Sequence, residues 1–276
     1  MPTRRFDPTF VVGLAIAALC ILGGLILERG EVRDVTQVTA ALIVLGGTIG
    51  AVVVSTPQAV LMSALRRAPS VLWNSAEDPA QLQEKLISWA ITARRSGLQE
   101  LDSVVEEIED RFLKKAIMLL VDGFSADEIR LLLETDMDLS DRQADSDAKV
   151  FDAAGGYAPT IGIIGAVLGL IQVMKHLDNM SEVGRGIAVA FVATVYGVSA
   201  ANLLFLPMGS KIRNQARAAT RTQEMIIEAV TAIQEGKNPR VIRQLLDPFV
   251  GDAKAPKKVA EAAGNAPGYA ETRKAS

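Results

Sequence analysis

The sequence predicts an all-α integral membrane protein with four transmembrane helices, two short and two extended into the cytoplasm, and a helical cytoplasmic domain. Three observations carry that prediction. Hydrophobic residues make up 49% of the 276 residues while aromatics make up only 5%, so the apolar content is aliphatic plus Ala. Mean hydropathy is +0.25, above the range of ordinary soluble domains. Charged residues are nevertheless 22%, so apolar and charged populations are segregated along the chain. This pattern excludes a disordered chain, a collagen and a disulfide scaffold. The one cysteine, Cys20, cannot make an internal disulfide, and a net charge of −3 gives no reason to expect nucleic acid.

Four long stretches lack charge: Phe10 to Leu27, Val35 to Leu65, Ala153 to Met174 and Gly186 to Ser210. A bilayer core of about 30 Å takes roughly 20 helical residues, so each can span. The second is too long for one span. Pro57 is expected to mark its exit, with an amphipathic helix continuing towards Arg66. Arg4 and Arg5 ahead of an apolar run resemble a signal peptide, and Cys20 suggests a lipoprotein site. Leu19 is too large for lipid attachment and no small-x-small cleavage site follows Gly24, so an uncleaved first helix is expected.

Lys and Arg give the orientation. Two lie before the first span, 11 in residues 57–152 and 12 from residue 208 on, against two each in the loops 28–35 and 175–185. The positive-inside rule then puts both termini and the large loop in the cytoplasm. The expected order is a cytoplasmic tail over 1–9, two spans within 10–57 and a helical cytoplasmic domain over 58–150. Two further spans within 151–208, cytoplasmic helices over 209–250 and a disordered tail over 251–276 complete it.

The large loop reads as helical. Asp78-Pro79 supplies an N-cap and a first-position proline, with Gln81 completing a capping box, and Leu82, Leu86, Trp89 and Ala90 form an apolar stripe ending near Gly97. A second helix is expected from about Glu100 to Val121, stopping at Gly123. Ser125 with Glu128 is another capping box, opening a helix that carries Leu131, Leu132 and Leu133 towards span three. No strand alternation is visible. The loop holds 19 acids against 11 bases over 57–152, readable as a solvated face or as an electrostatic docking surface for a large partner. After span four, residues 211–236 read as a helix with Ile226, Ile227 and Val230 apolar.

Spans three and four are dense in small residues: Gly162, Gly165, Ala166 and Gly169 in one, Gly186, Ala190, Ala193, Gly197 and Ala201 in the other. These are helix–helix faces. Gly46, Gly47 and Gly50 sit within span two without a preceding strand and read as packing glycines, not as a dinucleotide loop. Pro159 and Pro207 are either kinks and stops or hinges, and Thr194 is expected to bond back to its own helix. No Asp, Glu, Lys, Arg or His lies in the middle of any span, and His176 sits at a span's end. No metal-ligand cluster, Ser/His/Asp set or phosphate loop is visible, so no enzyme, metal or cofactor is expected. A chain that moved ions with these spans would need a titrating group from a partner.

Gly156-Tyr-Ala-Pro159-Thr-Ile-Gly162-Ile-Ile-Gly165-Ala-Val-Leu-Gly169-Leu-Ile resembles the third-span signature of the flagellar stator A subunit, the MotA/PomA family of the MotA/TolQ/ExbB superfamily. Gly184-x-Gly186-Ile-Ala-Val-Ala-Phe191-Val-Ala-Thr194-Val-Tyr-Gly197, through Ala201-Asn202 to Pro207, resembles its fourth. Gly23-Gly24 and Leu45-Gly46-Gly47-Thr48 fit the first two, and the resemblance covers roughly residues 5–245. It implies a homopentamer around a dimer of a single-span, peptidoglycan-binding B subunit that carries an intramembrane aspartate. Ion flow past that aspartate would turn the ring and drive the rotor switch complex. By the same resemblance Pro159 and Pro207 are the functional prolines, and Ala166 and Thr194 line the ion site. Arg94 matches the rotor-facing arginine, Asp102 falls where the family usually has glutamate, and Arg95 and Glu100 could share that work.

The resemblance also bears on the ion. Sodium-driven relatives tend to carry threonine at the position of Ala166, which would give a second oxygen beside that of Thr194. A sodium ion needs such oxygens in exchange for its hydration shell and a proton does not, so the expected ion is H+. The sequence alone leaves two rivals open. One is a TolQ/ExbB-type energiser subunit, against which the fourth span argues; the other is a membrane scaffold without ion flux.

Overall fold

The computed structural model describes residues 5–74 and 78–251. The expectations for residues 1–4 and for a disordered tail beyond Gly251 lie outside the described residues. In chain order, β1 (Arg5–Phe6) leads into α1 (Thr9–Leu27). Next, α2 covers Val38–Ser55, with a wider π turn at Leu42–Gly46. Then come α3 (Gln58–Arg67), β2 (Trp73–Asn74) and α4 (Pro79–Ser96). The short α5 (Asp102–Val105) and α6 (Arg111–Val121) precede α7 (Ala126–Lys175). The second long helix, α8, covers Met180–Gln234 with a π turn at Ala200–Phe205, and α9 is Pro239–Gly251. By length and composition α1, α2, α7 and α8 can each cross a membrane.

Contacts divide the chain into two compact units, whose described parts fall within Arg4–Ser75 with Asp138–Ala218, and within Ala76–Met137 with Ala219–Ser276. The unit that holds the apolar spans is fastened at one end by a small core. Val52, Ala64, Val71, Ala148, Phe151, Ala154 and Ile212 are buried together there. Charged side chains tie the same region. The Arg67 guanidinium donates to Asp147 at 2.7 Å, and Arg213 forks onto Asp152 at 2.6 and 3.0 Å. Thr56 is extended and Pro57 precedes α3, so the second apolar helix ends where the sequence predicts and an amphipathic helix follows.

One expectation fails here. β1 and β2 pair antiparallel, Arg5 with Asn74 and Phe6 with Trp73. Two residues per strand are too few for alternation to show in the sequence. The pairing is held by Asp7 N–H donating to Leu72 O at 2.9 Å and by edge-on stacking of Phe6 and Trp73, 5.7 Å between ring centres. The Lys211 ammonium donates to Asp7 Oδ2 at 2.6 Å, and Thr9 donates to Oδ1 through both hydroxyl and backbone N–H. Lys211 first, then Thr9, hold the Asp7 carboxyl down at about 2. A depressed folded value means the contribution is fully present above the ordinary 3.8 and is lost as pH falls through about 2. Asp7→Asn is therefore expected to destabilise the protein at pH 6 by on the order of 1 kcal/mol after solvent screening. The difference in thermal unfolding midpoint between the two proteins should vanish between pH 4 and pH 2.

The second unit packs α4, α6 and α9 on the start of α7 and the end of α8. Leu82, Leu86, Leu101, Ile117, Leu120, Ile129, Leu133, Met225, Ile242 and Leu246 are buried in one core. The Asp78 carboxylate caps α4 through Ala80 N–H at 3.0 Å, one residue earlier than a capping box requires, and Gln81 makes no reciprocal bond among the described residues. The second box forms as read: Ser125 N–H and hydroxyl both donate to Glu128 Oε2, at 2.9 and 2.7 Å. The single helix expected from Glu100 to Val121 is two. Asp110 breaks it by accepting from Leu113 N–H at 2.7 Å and starting α6 afresh. Gly97 and Gly123, at φ 92° and 80°, end α4 and the turn after α6 in the left-handed region that a side chain disfavours. Gln83 Nε2 donates to Asp247 Oδ1 at 2.9 Å and Arg243 forks onto Glu84, which clamps α9 to α4.

Candidate functional site

The membrane-spanning parts of α7 and α8 run antiparallel at backbone contact, and glycine permits it. A Cβ on Gly197 would lie 2.5 Å from Ala158 O and 3.1 Å from Gly162 Cα. On Gly162 it would lie 2.9 Å from Ala193 O, and on Gly169 2.9 Å from both Ala190 N and Gly186 O. The small residues noted in the sequence are thus one continuous face. α2 joins them: Ala40 and Val44 are buried against Val192 and Ala193. Of the span-two glycines only Gly47 is in close contact within the chain, where a Cβ would meet Ile161 at 2.8 Å; Gly46 and Gly50 face open space.

Ala166 and Thr194 both lie on this packed pair and both are half-buried. Thr194 Cα is 3.4 Å from where a Cβ of Gly162 would be, and Ala166 is one helical turn further along α7. The Thr194 hydroxyl donates to Ala190 O at 3.3 Å, the back-bond its place in an apolar helix implies. Pro159 stands inside α7, which continues through it. Pro207 is not a helix stop. The π turn at Ala200–Phe205 directly precedes it, and a widened turn relieves the clash of a proline ring with the carbonyl four residues back.

The charged candidates belong to the other unit. Arg94 and Arg95 end α4, and Glu100 and Asp102 follow the Gly97 turn. All four are exposed and none makes an ion pair among the described residues. Nor does any group of three His, Cys, Asp or Glu side chains among the described residues stand ready to hold a metal. The α7–α8 face therefore offers close backbone packing with one half-buried hydroxyl, that of Thr194, bonded back to its own helix. No Asp, Glu, Lys, Arg or His lies in the middle of either apolar stretch.

Two residues escaped the reading of the sequence. The Tyr196 hydroxyl donates to Val35 O at 2.6 Å and accepts from Gln37 N–H at 3.2 Å, which fixes the start of α2 against α8. A lone tyrosine in an apolar span is the available signal, since its hydroxyl needs a partner. Asp147 is fully buried, with Gln143 Nε2 donating to it at 3.0 Å besides Arg67. Its position on the stripe of Ala144, Ala148, Phe151 and Ala154 marks it as an acid on an apolar face.

Known proteins carry the same pattern. The family model "Motility protein A N-terminal" matches residues 11–95, and the model "MotA/TolQ/ExbB proton channel family" matches residues 104–225. The chain is 34% identical to Motility protein A of Bacillus subtilis over 245 residues, which is 87% of this chain and 89% of the relative. It superposes on the solved structure of C. jejuni MotAB with a TM-score of 0.84 at 35% identity, covering 88% of this chain and 95% of that one. For the flagellar MotAB stator complex from Bacillus subtilis the TM-score is 0.82 at 31% identity, covering 92% of this chain and 99% of that one. Four spans, a small-residue α7–α8 face and this likeness over nearly the full length make the chain a member of the MotA/TolQ/ExbB proton channel family, on its motility protein A branch.

Proposed function

We propose that this chain is the A subunit of a flagellar stator, which forms with a B subunit a proton channel and converts ion-motive force into torque on the rotor. The observation that carries the reading is the α7–α8 pair: two helices at backbone contact, with a half-buried threonine and no ionisable side chain mid-span, inside a chain that aligns with the MotAB structures over nearly its full length. The missing acid is the B subunit's intramembrane aspartate, and five A subunits surround a B dimer. Thr194 lines the path beside that aspartate with Ala166 opposite. Ala166 offers no oxygen, and removing one ligand from a desolvated cation costs more than an ordinary hydrogen bond, which favours H+ over sodium. Pro159 and Pro207 both lie toward the end of the paired segment away from the Gly169–Gly186 contact, where helix bending opens and closes the path. The fourth span and the likeness to MotAB complexes favour this reading over a TolQ/ExbB-type energiser subunit.

The protein lies in the bacterial inner membrane with both termini in the cytoplasm. Residues 58–150 and 209–250 then form the cytoplasmic domain, and Arg94, Arg95, Glu100 and Asp102 face the rotor switch complex. Their exposure and the absence of ion pairs to them among the described residues suit that role. Exposed ion pairs contribute less than about 1 kcal/mol each. A single reversal, Arg94→Glu or Asp102→Lys, is therefore expected to slow swimming, and Arg94→Glu with Arg95→Glu to slow it far more, with membrane levels unchanged. Normal swimming by the double variant at native expression would remove these residues from the docking surface.

A further inference from the structure

The outer face of α3 and the β1–β2 pair carry apolar side chains that the described residues leave uncovered. Met62 and Leu65, 44% and 55% exposed, share one side of α3, and the stacked rings of Phe6 and Trp73 are 51% and 41% exposed. The adjoining side of α3, with Leu61 and Ala64, is taken by the core. Connectivity keeps Phe6, the Trp73 paired with it and the start of α3 close to a span's end. Phe6 lies three residues before α1 begins and α3 starts three residues after α2 ends, a reach of at most about 11 Å from a span's end. That is the thickness of a headgroup layer, where aromatic rings and the apolar faces of short amphipathic helices settle.

Charge narrows the occupant. Residues 56–74 contain no acid, within a loop otherwise rich in them, and their only charges are Arg66 and Arg67. Arg67 is engaged by Asp147, and Lys211 and Arg213 by Asp7 and Asp152. Arg66, next to Leu65, is exposed and makes no ion pair among the described residues. The geometry points to an interfacial anchor, in which the outer face of α3 with Phe6 and Trp73 seats in the headgroup layer and Arg66 holds the phosphate of an anionic phospholipid. It rests on the chain spanning a membrane, not on the ion or torque assignments.

The test places the full chain in nanodiscs of phosphatidylcholine and phosphatidylglycerol, with one lipid or the other brominated on its acyl chains. Emission from Trp73 is taken as the difference between the unsubstituted chain and Trp73→Leu. If that variant does not fold, Trp89→Phe reads Trp73 directly. Both brominated lipids are expected to quench Trp73, phosphatidylglycerol more strongly at equal mole fraction. Arg66→Gln should lower that ratio by up to about fivefold and leave quenching by brominated phosphatidylcholine in place. Absence of quenching, as when a second copy or another subunit covers the face, overturns the anchor. A ratio unchanged in Arg66→Gln overturns the headgroup assignment.

Discussion

Arg67→Met is expected to destabilise the fold by about 3–5 kcal/mol, the cost of leaving a buried charge without its partner. Asp147 has no exposed side-chain surface, and the Arg67 guanidinium, 36% exposed, reaches it at 2.7 Å. Gln143 supplies one further donor at 3.0 Å, an uncharged amide that also donates to Ser63 Oγ. Without Arg67 the buried carboxylate is left without a charged partner, and α3 is held to α7 by the Gln143–Ser63 hydrogen bond and apolar packing. Thermal unfolding followed by helical circular dichroism should show a large drop in midpoint for Arg67→Met. Most of it should return in the double variant Arg67→Met with Asp147→Asn, which removes the orphaned charge and keeps an acceptor for Gln143. A single variant as stable as the unsubstituted chain would mean that the pair is not buried.

Gly197→Ala should be the most damaging one-methyl change in the spans, by roughly 2–3 kcal/mol. The added carbon would stand 2.5 Å from Ala158 O and 3.2 Å from Ala158 C, and both are backbone atoms that no rotamer change can move. The helices would have to part, and the contacts at Gly162 and Gly169 would open with them. Apolar helices in lipid gain little from hydrophobicity and depend on such close packing. Gly13 of α1, with nothing near the corresponding point, is the control. Gly13→Ala is expected to be neutral or slightly stabilising through helix propensity. Comparing the unfolding midpoints of the two alanine variants in the same detergent separates the loss of contact from the change in propensity.

Periodicity and length made the helices legible because each long helix buries or exposes a continuous stripe. The four apolar stretches, the exit at Pro57, the helix of Ser125 and Glu128 and its run into span three were all readable from local patterns. What was not readable depended on partners distant in sequence. The two-residue pairing of Phe6 with Trp73 has no local signature, and Asp147 becomes a buried ion pair only because Arg67 arrives from α3. The break at Asp110 was missed for a different reason, since a run of helix-compatible acids conceals a capping residue. For the candidate site the small residues of α7 and α8 announced a tight interface, and the absence of a mid-span acid announced a missing partner. The roles of Ala166, Thr194, Arg94 and Asp102 had no such physical signature and came from resemblance to the family.

The most direct measurement is rotation of tethered cells that lack their own stator and express this chain with its B subunit, recorded while sodium is replaced by choline at constant pH and membrane potential. The account predicts that rotation appears with expression, continues without sodium and stops with a proton uncoupler. No rotation from a chain correctly assembled in the membrane would contradict the stator function. Rotation that ceases without sodium, and persists under the uncoupler once sodium is restored, would contradict the proton assignment built on Ala166.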